Sequence, residues 1–351
     1  SDCTLDPVFN SATTEYSCTV KNNVTSVTVN ATVTSSKAKV RGLGTKELTV
    51  GKNTLPIRVI AEDGSEKIYN VNVTRKNTVE SVSIFSKEYE VINAKPTLTT
   101  SSNNTSDASG LYKSTSTNTG EPTYYFRGNV TNNYVSFAGF TWRIVRINED
   151  GTVRIVMQDG INNNTNYQFN SNYNNYTYMY YSNSQVKPIL ENWYQTSIGS
   201  KSDLAKNVAS GNYYCEQAKA KYSSSWTSGN AIMTTYTSYT PDFKCEIDGN
   251  GYGLINASVG LLGYDEIVYA GGYSDSNNIN FYLYNNMYLW TMSPAGCSAY
   301  PSATVWRIVG LGNYRDFGVD HSHTLRPVLN LNIDTQISDG DGTKENPFVV
   351  E

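Results

Sequence analysis

Side chains suited to molecular recognition are concentrated near the end of the chain. Both histidines of the chain lie there, and three of its ten arginines lie there or directly beyond. Tyrosine and arginine are among the residues most enriched at binding hot spots. The sequence therefore predicts a ligand-binding face. Its predicted members are Tyr300, Arg307, Tyr314, Arg315, Asp316, Asp320, His321 and His323.

Two apolar, strand-like segments enclose these residues. The first is Leu289-Trp290-Thr291-Met292-Ser293-Pro294, and the second is Leu325-Arg326-Pro327-Val328-Leu329-Asn330-Leu331. A rigid frame that carries changeable contact residues is the usual construction of a recognition surface. We therefore expect a variegated segment at about 297–323 within a fixed frame. The residues predicted to be structural are Trp142, Trp290, Trp306, Arg326 and Pro327.

The same residue types raise the possibility of a metal site or a catalytic site. Asp320, His321 and His323 have spacings that a metal could use, because residues two apart on a strand face the same way. The chain has no third histidine, and we expect no metal site.

A serine or cysteine nucleophile needs a base within reach, yet both histidines lie in the variegated segment. Asp265 and Glu266 are adjacent acidic residues on a predicted strand. Because neighbours on a strand point to opposite faces, we do not expect them to act together as a catalytic pair. We expect no catalytic residues, no cofactor and no enzymatic activity.

The composition limits the class of protein. A chain of 351 residues is long enough for two or three domains. Charged residues make up only 17% and the net charge is -4, which argues against a nucleic-acid-binding protein. No apolar run approaches the roughly 18 residues of a membrane span. The chain opens with Ser1-Asp2-Cys3, and we expect no signal peptide in it.

Twenty-eight tyrosines, together with abundant asparagine, serine and threonine, are typical of a secreted or cell-surface β protein. Tyrosine, serine, glycine and asparagine also dominate antibody binding loops. The alternative explanation is that tyrosine, threonine and valine simply suit β-strands. We expect an extracellular, cell-surface protein.

The five cysteines form an odd number. Cys3 and Cys18 lie in neighbouring strand-like segments, and a disulfide between them would contribute about 3 kcal/mol in the chain-entropy model. Cys215 and Cys245 flank a Ser/Tyr-rich segment and are candidates for a second disulfide, which leaves Cys297 over. Disulfides fit an oxidising compartment.

Residues 1–76 have the pattern of a small all-β domain. Val24-Thr25-Ser26-Val27-Thr28-Val29 alternates with the period of a half-buried strand, and residues 55–60 and 67–73 form a hairpin pattern around Glu62-Asp63-Gly64. Short strands at this spacing indicate a β-sandwich. The segments Leu5-Asp6-Pro7-Val8-Phe9 and Val71-Asn72-Val73-Thr74 complete a resemblance to the bacterial cadherin-like, Ig-like sandwich repeat. That resemblance implies a spacer or adhesion module. The acidic calcium motifs of true cadherins are absent, and we expect no calcium site.

Residues 77–97 are interpreted as a linker or connecting strand, and residues 98–351 as a second domain. Residues 135–137, 140–147 and 153–157 are predicted to form a meander. The spacing of Val186, Ile189, Leu190 and Trp193 predicts a helix, and residues 204–221 a second, weaker helix. Further strands are predicted at residues 266–270, 288–291 and 325–331. This mixture indicates an α+β domain.

The second domain resembles a domain of Gram-positive surface proteins. The segments that carry the resemblance are 134–147, 258–269, 290–294, 326–331 and 339–347. The arrangement of a Trp-bearing strand, a polar region and a closing Arg-Pro-Val strand is similar to the C-type-lectin-like fold. The relevant branch is shared by formylglycine-generating enzymes and the variable proteins of diversity-generating retroelements. The resemblance implies a diversified terminal segment that binds a ligand.

That resemblance also makes a prediction about residue types. In such a segment, asparagine codons AAC and AAT (AAY) are mutated only at their adenines. The codons that result cannot encode Trp, Gln, Lys, Glu or Met. Between Cys297 and His323, only Trp306 belongs to these types. We interpret Trp306 as a fixed part of the frame.

The leading hypothesis is a multidomain surface protein, in which a cadherin-like sandwich is followed by an α+β C-type-lectin-like domain. Its expected function is that of an adhesin or receptor-like protein, and its expected partner is a macromolecular ligand, a protein on another cell, a host or a phage. The alternative is a structural spacer or envelope protein without a dedicated ligand. A third possibility, an enzyme, predicts a convergent polar cluster in a cleft.

Overall fold

The computed structural model divides the chain into two compact units, Ser1–Glu80 and Ser81–Glu351. No helix in the part of the chain that the structure describes is long and apolar enough to cross a membrane. The described residues are 3–22, 24–76, 80–98, 107–211, 213–218, 240–248, 251–273, 279–298, 302–309 and 314–351.

The first unit is all-β in its described residues. Its strands are β1 (Glu15–Val20), β2 (Ser26–Val29), β3 (Lys39–Arg41), β4 (Gly44–Glu47), β5 (Gly51–Ile60) and β6 (Glu66–Arg75). One sheet has the order β1-β6-β5-β3, and β2 pairs with β4. β1 runs parallel to β6, whereas β5 and β6 form the antiparallel hairpin that the sequence predicts.

The core of this first unit follows from alternation along β1. Tyr16, Cys18 and Val20 are buried, while the residues between them are exposed. Cys18 and Val20 pack with Leu48, which directly follows β4, and with Val73 of β6. Apolar side chains on alternate positions therefore bury one face of the strand, as period-2 geometry requires.

The second unit contains the remaining strands. They are β7 (Ser81–Ile84), β8 (Lys87–Glu90), β9 (Gly110–Ser114), β10 (Thr123–Arg127), β11 (Tyr134–Phe137), β12 (Phe140–Ile147), β13 (Val153–Met157), β14 (Asn166–Gln168), β15 (Tyr214–Cys215), β16 (Leu254–Ile255), β17 (Leu289–Ser298), β18 (Ser302–Ile308), β19 (Tyr314–Gly318), β20 (Ser322–Thr324), β21 (Val328–Leu331), β22 (Ile337–Asp339) and β23 (Phe348–Val350). Among the described residues, its α-helices are Val186–Tyr194, Ser202–Ala205 and Tyr264–Tyr269, with a short irregular helical turn at Ile161–Asn164, 3₁₀ turns at Tyr176–Met179 and Tyr181–Asn183 and a π-helical turn at Gln195–Gly199.

Two sheets organise this unit. The larger has the order β21-β13-β12-β11-β23-β22, and β10 joins it by pairing with β12 and with β9. The smaller has the order β14-β20-β17-β18-β19. The smaller sheet contains most of the variegated segment, so this sheet positions the candidate site.

The centre of the large sheet is the meander that the sequence predicts. β11, β12 and β13 are antiparallel neighbours, and every residue of β13 is buried. Trp142 on β12 is fully buried and lies 6.3 Å, ring to ring, from Trp193. Trp193 belongs to helix Val186–Tyr194, whose apolar side packs on this sheet. The helical spacing in the sequence is therefore confirmed.

The hairpin of β7 and β8 belongs to the second unit. Ile84, Tyr89 and Val91 lie in its main core, and Val91 forms a parallel bridge with Leu111. The segment interpreted from the sequence as a linker or connecting strand is thus in part a packed hairpin.

Two secondary-structure predictions are wrong. The segment predicted as a strand from Glu266 is the helix Tyr264–Tyr269. A short apolar run does not distinguish the two states, and the helix starts because Glu266 accepts a hydrogen bond from the Gly263 amide at 2.9 Å. The weaker helix predicted from Leu204 ends at Ala205, and β15 follows at Tyr214.

Glu266 ties this helix to the large sheet. Its carboxylate lies 2.5 Å from Nε of Arg154 and 3.3 Å from Nε of Arg146, and all three side chains are largely buried. Arg146 also stacks on the ring of Phe243, 4.7 Å from its centroid. The buried Glu266 carboxylate and the guanidinium groups of Arg146 and Arg154 therefore compensate one another's charge, which would be unfavourable if buried alone.

We expect Glu266→Gln to lower the free energy of unfolding of the second unit by about 3–5 kcal/mol, because it leaves two buried guanidinium groups without their carboxylate. All five tryptophans lie in this unit, so tryptophan fluorescence during urea unfolding reports on it alone. Lys187→Gln, which breaks the partly exposed Lys187–Glu191 pair, is the control and should cost less than about 0.5 kcal/mol. Equal losses of unfolding free energy in Glu266→Gln and Lys187→Gln would contradict the stabilising role assigned to the buried Glu266 pairs.

Candidate ligand-binding site

The variegated segment forms antiparallel strands at one side of the smaller sheet. β17 pairs with β18, and β18 pairs with β19. Trp290, Arg307 and Arg315 stand in one register row across these three strands, so their side chains share a face. Trp306 pairs with Asp316 in the next row, on the opposite face.

Arg307 is buried at the centre of this face, with 8% of its surface exposed. Its guanidinium lies 3.5 Å from the centroid of the Phe317 ring and 5.2 Å from that of Tyr288. Nη1 donates to Nε2 of His323 at 2.8 Å, whereas Nε is buried without a hydrogen-bond partner. Burial lowers the pKa of Arg307, and the charge of Arg315 lowers it further.

His323 lies beneath the same face and is also buried. Its ring is 4.4 Å from that of Trp290 and 5.8 Å from that of Tyr288. Burial, and then the charges of Arg307 and His321, lower its pKa from 6.5 to about 3. A neutral imidazole accepts the Arg307 hydrogen bond through Nε2, so the ring supports the arginine without adding charge.

The outer layer of the site is accessible. Arg315 and His321 are exposed, and Tyr288 keeps 50% of its surface exposed. Phe317 is partly buried and packs edge-on against His321, with ring centroids 4.3 Å apart. The outer layer therefore combines the polar groups of Arg315 and His321 with the aromatic rings of Phe317 and Tyr288.

The structure separates the predicted contact residues into two groups. Arg315 and His321 are exposed and Asp320 is partly exposed, as a binding role requires, whereas Asp316 is exposed on the opposite face of the sheet. Arg307 and His323 are buried and therefore support the face instead of presenting it, which corrects their expected exposure. Tyr314 begins β19, and Tyr300 lies outside the described residues.

Two residues of the face are absent from the sequence-based list. Tyr288 directly precedes the Trp-bearing strand, and Phe317 shares the face of Arg315 by its spacing of two along β19. The alternating side-chain direction along a strand at residues 314–318 indicates that Phe317 shares the face of Arg315. Tyr288 had no comparable signal, because its neighbours come from other strands.

The residues predicted as frame are buried. Trp142 donates from its indole to the Phe137 carbonyl at 3.0 Å, and Trp290 donates to the Tyr167 carbonyl at 2.9 Å. Trp306 is buried and its ring lies 4.7 Å from that of Tyr264.

Arg326 and Pro327 hold the closing segment to the large sheet. Arg326 donates from Nε to the Met157 carbonyl and from Nη1 to the Leu283 carbonyl, each at 2.7 Å. The carbonyl of Pro327 accepts from the Met157 amide at 2.9 Å. Burial lowers the pKa of Arg326 to about 10.

Both candidate disulfides are present. Cys3 is bonded to Cys18 in the first unit, and Cys215 is bonded to Cys245 in the second.

No group of three His, Cys, Asp or Glu side chains within the described ranges is arranged to hold a metal ion. His321 and His323 also differ in environment, since His321 is exposed and His323 is buried and occupied by the Arg307 cation.

A second polar cluster lines a cleft beside helix Tyr264–Tyr269. Its lining includes Arg146, Arg154, Glu266 and Ser293. Glu266 is paired with both arginines, and the Ser293 hydroxyl accepts from the Tyr264 amide at 2.8 Å. These contacts join a helix to two sheets, and neither histidine of the chain is part of the cleft lining.

Comparison with known families identifies the first unit. Residues 1–76 match the model of the cadherin-like beta sandwich domain. This part of the chain is a cadherin-like domain. Comparisons with curated proteins and with solved structures gave no significant match. The cadherin-like domain covers the strands β1–β6, whereas the candidate site lies in the second unit.

The His323 environment predicts a pH effect on stability. The unfolded chain takes up a proton near pH 6.5, whereas the folded chain resists it down to about pH 3, so stability is lost as the pH falls between these values. We expect His323 to account for a loss of about 1–2 kcal/mol between about pH 7 and about pH 4.5, with solvent screening reducing the full effect.

The measurement is urea unfolding followed by tryptophan fluorescence at several pH values. His323→Gln should remove this part of the pH dependence, and His321→Gln, an exposed control two residues away, should retain it. An unchanged pH profile in His323→Gln would show that the ring does not titrate as described.

Proposed function

We propose that this chain is a cell-surface ligand-binding protein of the adhesin or receptor type. In this proposal, the second unit is a C-type-lectin-like domain and its smaller sheet carries the recognition face. The observation that carries the proposal is the layering at β17–β19. Exposed Arg315 and His321 lie over a buried support that includes Arg307, Trp290 and His323.

This layering suits a binding surface because its two layers have separate tasks. The buried layer fixes the backbone, and the exposed side chains can then change without loss of the fold. Aromatic and arginine side chains on a rigid base lose little conformational freedom on binding. The exposed half of Tyr288 and the guanidinium of Arg315 are the expected anchors.

We further propose that the gene is diversified, as in the variable proteins of diversity-generating retroelements. Support comes from the residue types between Cys297 and His323, where Trp306 alone belongs to the types that adenine-directed mutation of AAY codons cannot produce. The burial of Trp306 agrees with a fixed role.

An extracellular location and a macromolecular partner complete the proposal. Two disulfides support an oxidising compartment, and the cadherin-like domain is of a kind suited to hold a binding domain away from a surface. The partner is proposed to be a protein on another cell, a host or a phage. No catalytic role, cofactor or metal is assigned to the chain.

One specific observation favours a second candidate. The match of residues 1–76 to a cadherin-like domain also fits a structural spacer or envelope protein without a dedicated ligand.

Comparison of the gene among isolates separates the two candidates. If the face is diversified, substitutions should concentrate at exposed Arg315 and His321 and should spare buried Val305 and Trp306. A matching template, with changes at adenine positions, should accompany them. Substitutions spread evenly over all loops would favour the spacer.

A binding screen tests recognition directly. The full chain is presented to an array of purified surface proteins from bacteria, hosts and phages. For a partner found in this way, the triple variant Tyr288→Ala, Arg315→Ala, His321→Ala should bind at least about tenfold more weakly, because anchors dominate binding energy. Arg58→Ala, which removes an exposed arginine of the first unit, should bind as wild type. A partner that binds the triple variant normally would refute the assigned face.

A further inference from the structure

The recognition face carries two positive charges, and neither guanidinium is ion-paired with a carboxylate in the part of the chain that the structure describes. Arg307 and Arg315 stand directly opposite each other on neighbouring strands, an arrangement that destabilises a strand pair when the charges are alike. Arg307 bonds to the neutral His323, and Arg315 forms no hydrogen bond or ion pair with the residues that the structure describes. The nearest acidic residue along the strand, Asp316, points to the opposite face, and its charge attracts Arg307 without forming an ion pair with it.

Arg307 is fixed in a way that maintains this positive potential. Its guanidinium is held by Phe317 and Tyr288, and its buried Nε lacks an acceptor. It therefore cannot turn away from Arg315 without losing these contacts. Arg315 is exposed, and among the described residues no anionic group is bonded to it.

The position of β19 in the sheet indicates what kind of anion fits. β19 is at the end of the order β14-β20-β17-β18-β19, so within the described residues it pairs with β18 alone. A strand with one neighbour presents backbone N–H and C=O groups to an incoming strand. A peptide that pairs with this edge would extend the row of Trp290, Arg307 and Arg315 by one side chain.

We propose that β19 takes up an extended acidic segment of a partner protein as an added strand, with a carboxylate of that segment bound by the Arg315 guanidinium. Charge complementarity assigns the carboxylate, and the edge position assigns the peptide backbone, which a polysaccharide cannot supply. Because Asp316 faces the other way, acidic residues are expected at alternate positions of the segment. This inference rests on the proposed function and names the chemistry of the partner.

The test uses the full chain and short fluorescent peptides, with binding measured by anisotropy at low ionic strength. One peptide alternates threonine and glutamate, and its control has glutamine in place of glutamate. The glutamate peptide should bind about tenfold more tightly than the glutamine peptide, the value of one charge-assisted pair. Arg315→Gln should remove this difference, and Lys344→Gln, which removes an exposed charge elsewhere in the second unit, should retain it.

Backbone pairing is tested with the glutamate peptide N-methylated at alternate positions, once in each phase. One phase should abolish binding, because it blocks the edge that faces β19. Equal binding of the methylated and unmethylated peptides would overturn strand addition. Arg315-dependent binding of polygalacturonate without binding of the peptide would overturn the assignment to a protein segment.

The outcome is separable from that of the proposed function. A partner protein that is lost in the Tyr288, Arg315, His321 triple variant but binds Arg315→Gln as wild type would leave the recognition face standing and would overturn the acidic segment. Tryptophan fluorescence of Arg315→Gln checks that the variant is folded. Binding of neither peptide also overturns the inference.

Discussion

The candidate site depends on the way one buried cation is accommodated. Arg307 lies within the smaller sheet without a carboxylate partner, so its charge is balanced by aromatic rings and a neutral imidazole. These contacts join β18 to Phe317 on β19 and to His323 on β20. The variegated strands are therefore bound to the frame by side chains as well as by backbone pairing.

The second unit uses buried arginines throughout. Arg143 stacks on Tyr134, 3.8 Å from its centroid, and Arg326 donates to two backbone carbonyls. Arg154 instead pairs with Glu266. A planar guanidinium can satisfy several acceptors at once, which allows a polar interior where elements from distant parts of the sequence meet. Arg307 and Arg315 differ from Arg154, because neither is ion-paired with a carboxylate in the described part of the chain.

The two units have different physical roles. The cadherin-like unit has a small core around Val20 and Val73 and a disulfide that closes its first strand region. The second unit has the large core and all the tryptophans. An exposed surface can vary only where its support is independently stable. In the proposed function, the larger unit is the scaffold and the exposed side chains of its smaller sheet are the changeable face.

Several local elements of the fold can be predicted from patterns in the sequence. Alternation predicted β1 and the β5–β6 hairpin, and helical spacing predicted the helix at Val186, because these patterns depend on near neighbours. Helix Tyr264–Tyr269 was missed because its start also depends on Ser293, far along the chain. The sequence alone does not distinguish Arg307, which is buried, from Arg315, which is exposed; this difference follows from the tertiary structure. Both are arginines in similar strands, and their burial depends on how many neighbouring strands cover them, which local sequence does not encode.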